Sequence, residues 1–371
     1  MLRLGYFCSM SDQRVSGGDA VNDAARLLNA AARERVRVAL ADLLLPRELR
    51  LTDWQRSMMA ALLDRLIRSI EDELRSSLAE AFGAPEYAPL LAELVASATE
   101  IAVPILVRSA ALRDPELIAL LLRRVEEHRL YRLARAAPEP LEPLLQELIQ
   151  DPDQPVSAAA MAMLIGHSRR LDRFQEPLIA SPELPAEIEH RLVWTIAAAL
   201  RTWLVGRHQI DPVAADRALA AAATQRIYAY DEGEGLEARS LSLVRRLDAL
   251  GRLNDAFIVR TVAEGILPLF LAAFALRCDL VIDAVWEILS DPQGRGPPLL
   301  LRAAGFDRGD AGQVLVILSD PDDDEQLIAR MGLFDRTPID EARAAVRFWQ
   351  IDPVYRSAVA QVSDGGRGLL S

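Results

Sequence analysis

The chain has 371 residues, 51% of them hydrophobic and only 5% aromatic, with a formal net charge of −12. Enough apolar residue is present for a large core, and the scarcity of aromatics beside abundant alanine, leucine and arginine favours helices over sheet. All 42 basic residues are arginine, which excludes a P-loop, a protein-kinase site or a pyridoxal site, each of which needs a lysine; the acid excess argues against general binding of nucleic acid or anionic membrane.

Residues 1–19 read as a disordered tail, without the sustained apolar run of a signal peptide. A helical region follows over 20–110. Ala20 to Leu45 carries a helical period, and Thr52-Asp-Trp-Gln55 is a capping box, in which hydroxyl and amide side chains satisfy each other's orphan backbone groups. From there Trp54, Met58, Leu62, Leu66, Ile70, Leu74 and Leu78 recur at helical steps until Gly83 and Pro85. The spacing predicts a helical hairpin over Ala20 to Phe82, and the apolar stripe Trp54–Leu78 is a candidate surface for homodimerisation.

Asp-Pro pairs then punctuate the chain at Asp114, Asp151, Asp211, Asp291, Asp320 and Asp352, with Ser181-Pro182 filling a gap. Aspartate caps free amides and proline at the first helical position sacrifices no hydrogen bond, so these pairs mark helix starts. Spacings of 37, 30 and 30 residues, then 29 and 32, predict units of two helices each. Asp291-Pro292 runs into Gly294, Gly296 and two further prolines and reads as a loop instead. Residues 111–230 are read as HEAT-like repeats, 236–362 as an acidic helical region and 363–371 as a frayed tail. Gly265 to Leu276 is too short to span a bilayer and predicts a buried helix. Val314 to Leu318 reads as helix rather than strand.

The segment Ile101-Ala-Val-Pro104-Ile-Leu-Val-Arg108-Ser109-Ala-Ala-Leu112-Arg-Asp114-Pro-Glu-Leu117, with Glu127-His128 and Arg132-Leu-Ala-Arg135 beyond it, resembles a bacterial domain-of-unknown-function family over about residues 31–170. The resemblance implies an all-α, irregular HEAT-like helical repeat, an α-solenoid, and carries no activity with it.

Candidate binding residues are few. Arg124, His128, Arg132 and Arg135 recur at steps of four, four and three on one helical face, a ridge able to take carboxylates or phosphates; the alternative is a solvated face balanced by Glu126 and Glu127. Trp194 and Trp203, near His190 and Arg201, are candidates to line a groove. Glu187-x-x-His190 is half of a di-metal motif with no second half, and Asp320 to Glu325 lacks the glycine and glutamate of a calcium loop. Two cysteines, Cys8 and Cys278, are too few for a disulfide framework or a thiolate zinc site and fit a reducing cytoplasm. No metal, cofactor or catalytic set is expected. The sequence favours a non-catalytic interaction or regulatory scaffold with an unknown protein partner. A nucleic-acid-binding protein resembling HEAT-like DNA glycosylases, and an enzyme using carboxylates alone, remain open.

Overall fold

Thr52 caps the first helix as its motif predicts: its hydroxyl accepts from Gln55 N at 3.1 Å, while its own N–H donates to the Gln55 side chain at 2.8 Å. This computed structural model describes residues 50–359 and 362, apart from 97–99, 110, 136–142, 180–182, 292, 320–322, 353 and 357. The expected tails, the first arm of the hairpin, Cys8, and the starts at Ser181 and Asp320 lie outside the described residues.

Sixteen α-helices occur among the described residues: α1 (Asp53–Ala81), α2 (Ala88–Val95), α3 (Ala102–Ser109), α4 (Pro115–Arg135), α5 (Leu144–Ile149), α6 (Gln154–Ser168), α7 (Ala186–His208), α8 (Pro212–Ala229), α9 (Leu236–Ala249), α10 (Asp255–Ala263), α11 (Leu267–Cys278), α12 (Ile282–Leu289), α13 (Gly296–Ala303), α14 (Arg308–Leu318), α15 (Asp324–Arg336) and α16 (Ile339–Arg347). No strand is present among them beyond an isolated bridge between Leu171 and Pro177. The architecture is all-α, an irregular HEAT-like helical repeat, and no helix of the described residues is long and apolar enough to cross a membrane.

Several Asp-Pro pairs act as local chemistry dictates. Asp114 accepts from Glu116 N at 2.9 Å to open α4, and Asp211 accepts from Ala214 N at 3.0 Å to open α8. The pair at Asp151 is displaced: α6 is capped by Asp153, while Asp151 turns its carboxylate to the Asp153 N–H and to Arg252. Near Asp320 the cap of α15 is likewise Asp323. Asp291 forms the expected loop by accepting from Gln293, Arg295 and Gly296 N–H groups. That loop needs Gly296, because a Cβ there would sit 1.7 Å from the carbonyl oxygen of Ile288.

Around α1 pack α2, α3, α4, α7 and α8. Leu62, Leu66, Ile67, Ile70, Leu74 and Leu78 of α1 are buried against them, each worth roughly 1.5–3 kcal/mol of transfer free energy. The stripe expected to bind a second copy is therefore covered by the chain's own helices. Two groups of α1 substitute for missing caps: Glu71 accepts from Ile101 and Ala102 N–H at the start of α3, and its neighbour Arg75 donates to the Glu93, Leu94 and Ala96 carbonyls at the end of α2. A second apolar core runs continuously from Leu130 of α4 through α5, α6 and α9 to α16. At its centre lies α11, whose residues Leu267 to Ala275 are all buried, as the apolar run predicts. Val314 to Leu318 is helical in α14. Helix α4 touches both groups, packing on α1 at one side and on α11 and α14 at the other. Arg123, Arg124, Glu127 and His128 consequently face protein where an outer helix would face water.

Candidate functional site

The stripe Arg124, His128, Arg132, Arg135 divides along α4. Arg124 and His128 are buried at 6% and 5% exposure, whereas Arg132 and Arg135 are exposed. Neither the anion-binding ridge nor the solvated face describes the first half, because α4 is sandwiched between two cores and Arg124 and His128 on its middle turns are buried.

What receives Arg124 is an ion network. Arg124 bonds Glu127 at 2.8 Å and Glu183 at 2.9 Å; Arg170 bonds Glu127 at 2.8 Å and, through Nε, Glu183 at 2.7 Å. Arg123 adds a bond to the other Glu127 oxygen at 3.2 Å and reaches outward to Glu237 and to Asp283, the latter at 2.8 Å. Glu183 also accepts from Leu236 N at 2.9 Å, capping α9, whose own N-cap is Gly235 with no side chain to offer. Three arginines thus face four carboxylates, two of which, Glu127 and Glu183, are enclosed.

Burial would raise the Glu127 carboxyl, but Arg170, Arg124 and Arg123 together outweigh it and hold the pKa at about 2. Burial lowers Arg124 to about 10, assisted by the like charge of Arg170. Glu183 is likewise pulled below the usual carboxylate range, its burial outweighed chiefly by Arg170 and Arg124. Glu237 is pushed above the usual carboxylate range, because desolvation and the like charges of Asp283 and Glu127 outweigh the attraction of Arg123.

The network floors a cleft of about 580 Å³. Its walls are apolar, with Leu120 of α4, Ile179 and Leu184 from the segment before α7, Leu236 and Leu241 of α9, and Leu280 to Ile282. Arg245 of α9 also lines it, exposed and without a carboxylate partner among the described residues. Glu127 and Glu183 are bound to guanidinium groups and held ionised, so neither is poised to exchange protons near neutrality.

On the other side of the network lies an aromatic stack. His128 stands between Trp54 and Tyr131 at centroid distances of 6.5 and 6.3 Å, and Tyr131 meets His167 at 5.9 Å. Burial, followed by repulsion from Arg170 and Arg124, lowers the His167 pKa to about 4. Burial also lowers His128, whose Nδ1 is enclosed without a hydrogen-bond partner. Both imidazoles are neutral at physiological pH.

The tryptophans fall elsewhere. Nine residues of helix turn about 900°, so Trp194 and Trp203 of α7 point oppositely: Trp194 is 37% exposed and donates to His190 at 3.2 Å, while Trp203 is buried edge-on to His208 at 4.4 Å. They do not line a common groove. Arg201 is held by Asp216, and His190 is engaged with Trp194. No cluster able to hold a metal ion exists among the described residues. Burial raises the half-buried Cys278 thiol to about 11, which leaves it unreactive.

Sequence reasoning missed Arg170 and Glu183, which carry no local signal because their partners in α4 lie 43 and 59 residues away. Among known proteins, no curated protein and no solved structure matches this chain. One family does match, over residues 101–347, which begins later and extends much further than the resemblance noted around Asp114. It covers α4, the network, the cleft and most of the second core. The chain belongs to DUF2336, the family described as "uncharacterised protein conserved in bacteria".

Proposed function

We propose that this protein is a non-catalytic interaction or regulatory scaffold whose helical surface, including the cleft beside α4, receives a protein partner in the bacterial cytoplasm. The observation that carries the reading is the state of the cleft's charges. Glu127 and Glu183 are locked in arginine pairs and depressed in pKa, which fits a rigid floor and opposes an acid–base role. The apolar walls offer side-chain pockets of the kind that peptides and helices fill. The two-cysteine content supports the placing in a reducing compartment. Self-association through the apolar stripe of α1 forms no part of the proposal, since that stripe is covered.

The test is affinity purification of the tagged chain from its native cells at low and high salt, with nuclease, followed by mass spectrometry. A stoichiometric protein that survives both treatments is the expected result. Recovery of nucleic acid alone, lost at high salt, would overturn the scaffold reading in favour of a nucleic-acid binder.

A further inference from the structure

The exposed half of the α4 stripe meets a second element that the sequence does not pair with it. Residues 171–177 form a tight turn: Leu171 bridges Pro177, Asp172 N donates to the Glu176 carbonyl at 2.9 Å, and the Asp172 side chain accepts from the Phe174 and Glu176 N–H groups at 2.7 and 2.9 Å. So constrained, the turn presents Arg173 and Phe174, the latter 69% exposed. Tyr131 joins the turn to α4 by donating to Gln175 Oε1 at 3.3 Å. Arg135 lies over the Tyr131 ring at 5.8 Å, and Arg173 over Phe174 at 4.7 Å. Arg132 is exposed beside Tyr131, and Arg169 is exposed at the C-cap of α6, two residues before the turn.

None of Arg132, Arg135, Arg169 and Arg173 has a carboxylate partner among the described residues, although most arginines of the neighbouring helices do. Among the described residues, Asp172 serves its own turn and Arg65 and attracts Arg173 without an ion pair, and Glu176 is half-buried facing His128. A chain of net charge −12 thus carries a patch of positive charge without a carboxylate partner among the described residues, with the exposed ring of Phe174 beside it. A guanidinium stacked on a ring keeps its N–H edge free for bidentate bonds to a carboxylate.

We propose that the surface formed by Arg132, Arg135, Arg169, Arg173, Tyr131 and Phe174 docks an acidic, leucine- or aromatic-bearing segment of the partner protein. This rests on the scaffold reading above. Charge complementarity selects the ligand: the patch attracts carboxylates at short range, while the chain's overall negative charge opposes a long polyanion more than a short acidic peptide. Phe174 supplies an apolar anchor that a purely electrostatic contact would not need.

The experiment is fluorescence anisotropy of the full chain with a labelled peptide of repeating Glu-Glu-Leu units, at about 50 mM and about 500 mM salt. Binding at low salt is expected, weakened at high salt. The triple change Arg132→Ser, Arg135→Ser, Arg173→Ser should weaken it at least about tenfold, each exposed pair being worth a factor of roughly two to five. Phe174→Ser should cost about fivefold. The change Arg217→Ser, Arg336→Ser, Arg347→Ser removes the same charge from exposed positions elsewhere and should leave binding within about twofold. Circular dichroism of every variant checks that the fold is retained. Equal loss from both triple variants would overturn the site, as would an unaffected peptide. Tighter, patch-dependent binding of oligothymidylate or of phosphatidylserine vesicles would overturn the peptide in favour of that ligand. Absence of peptide binding while affinity purification still returns a protein partner overturns this surface alone; nucleic acid as the sole co-eluting species overturns the scaffold reading itself.

Discussion

The middle and the C-terminal end of α4 both carry arginines at helical spacing and live in different physical worlds. At Arg123, Arg124 and Glu127 the charges are enclosed, cross-bonded and shifted in pKa, whereas at Arg132 and Arg135 they are exposed, with no carboxylate partner among the described residues. A helical period fixes which residues share a face, but not how deep that face lies. A charged residue in the enclosed half is therefore a matter of stability, and the same residue two turns later is available for recognition.

Removing one carboxylate from the enclosed half should break this contrast most sharply. Glu127→Gln leaves Arg123, Arg124 and Arg170 facing one another with one counter-charge fewer, and a loss of about 3–5 kcal/mol is expected. Urea denaturation monitored by circular dichroism reads it directly; a change below about 1 kcal/mol would mean that water reaches the network. A double-mutant cycle between Arg170→Met and Glu183→Gln should yield a coupling energy of about 1–3 kcal/mol, measured from the same urea curves.

Acid sharpens the comparison with a predictable sign. The folded-state pKa of His167 lies near 4, below the ordinary imidazole value of 6.5, so the unfolded chain takes up its proton first and stability falls as pH drops from about 6.5 to about 4. The discount for partial exposure leaves about 2 kcal/mol for this group. His167→Gln should flatten that part of the profile. Glu127 then adds its own loss between about 4.5 and 2, where its native pairs protonate. The smallest effect belongs to the exposed half: Arg132→Ser with Arg135→Ser should change the urea midpoint by an amount equivalent to less than about 0.5 kcal/mol, while weakening capture of acidic peptide.

Much of the local structure was legible. The capping box at Thr52, the starts at Asp114 and Asp211, the loop at Asp291 and the buried run around Phe270 all follow from side chains and backbone groups within a few residues of one another. The Asp-Pro pair at Asp151 misled by two residues, because Asp153 offered a competing cap nearer the helix. The candidate site was half legible: the α4 stripe drew attention to Arg124 and Arg132 alike, and nothing local distinguished them. Trp194 and Trp203 were paired by proximity in sequence, although half a turn of helix separates their directions.

By itself, the sequence determined the all-helical class, several helix starts, the absence of lysine chemistry and the buried centre of the second core, since each depends on composition or on interactions across one helical turn. Only the tertiary structure decided that Glu127 gathers three arginines, that Glu183 caps a helix 53 residues later, and that five other helices cover the apolar stripe of α1. Those outcomes depend on which distant surfaces meet, and burial, with the charge pairing and pKa shifts that follow from it, exists only once they have met.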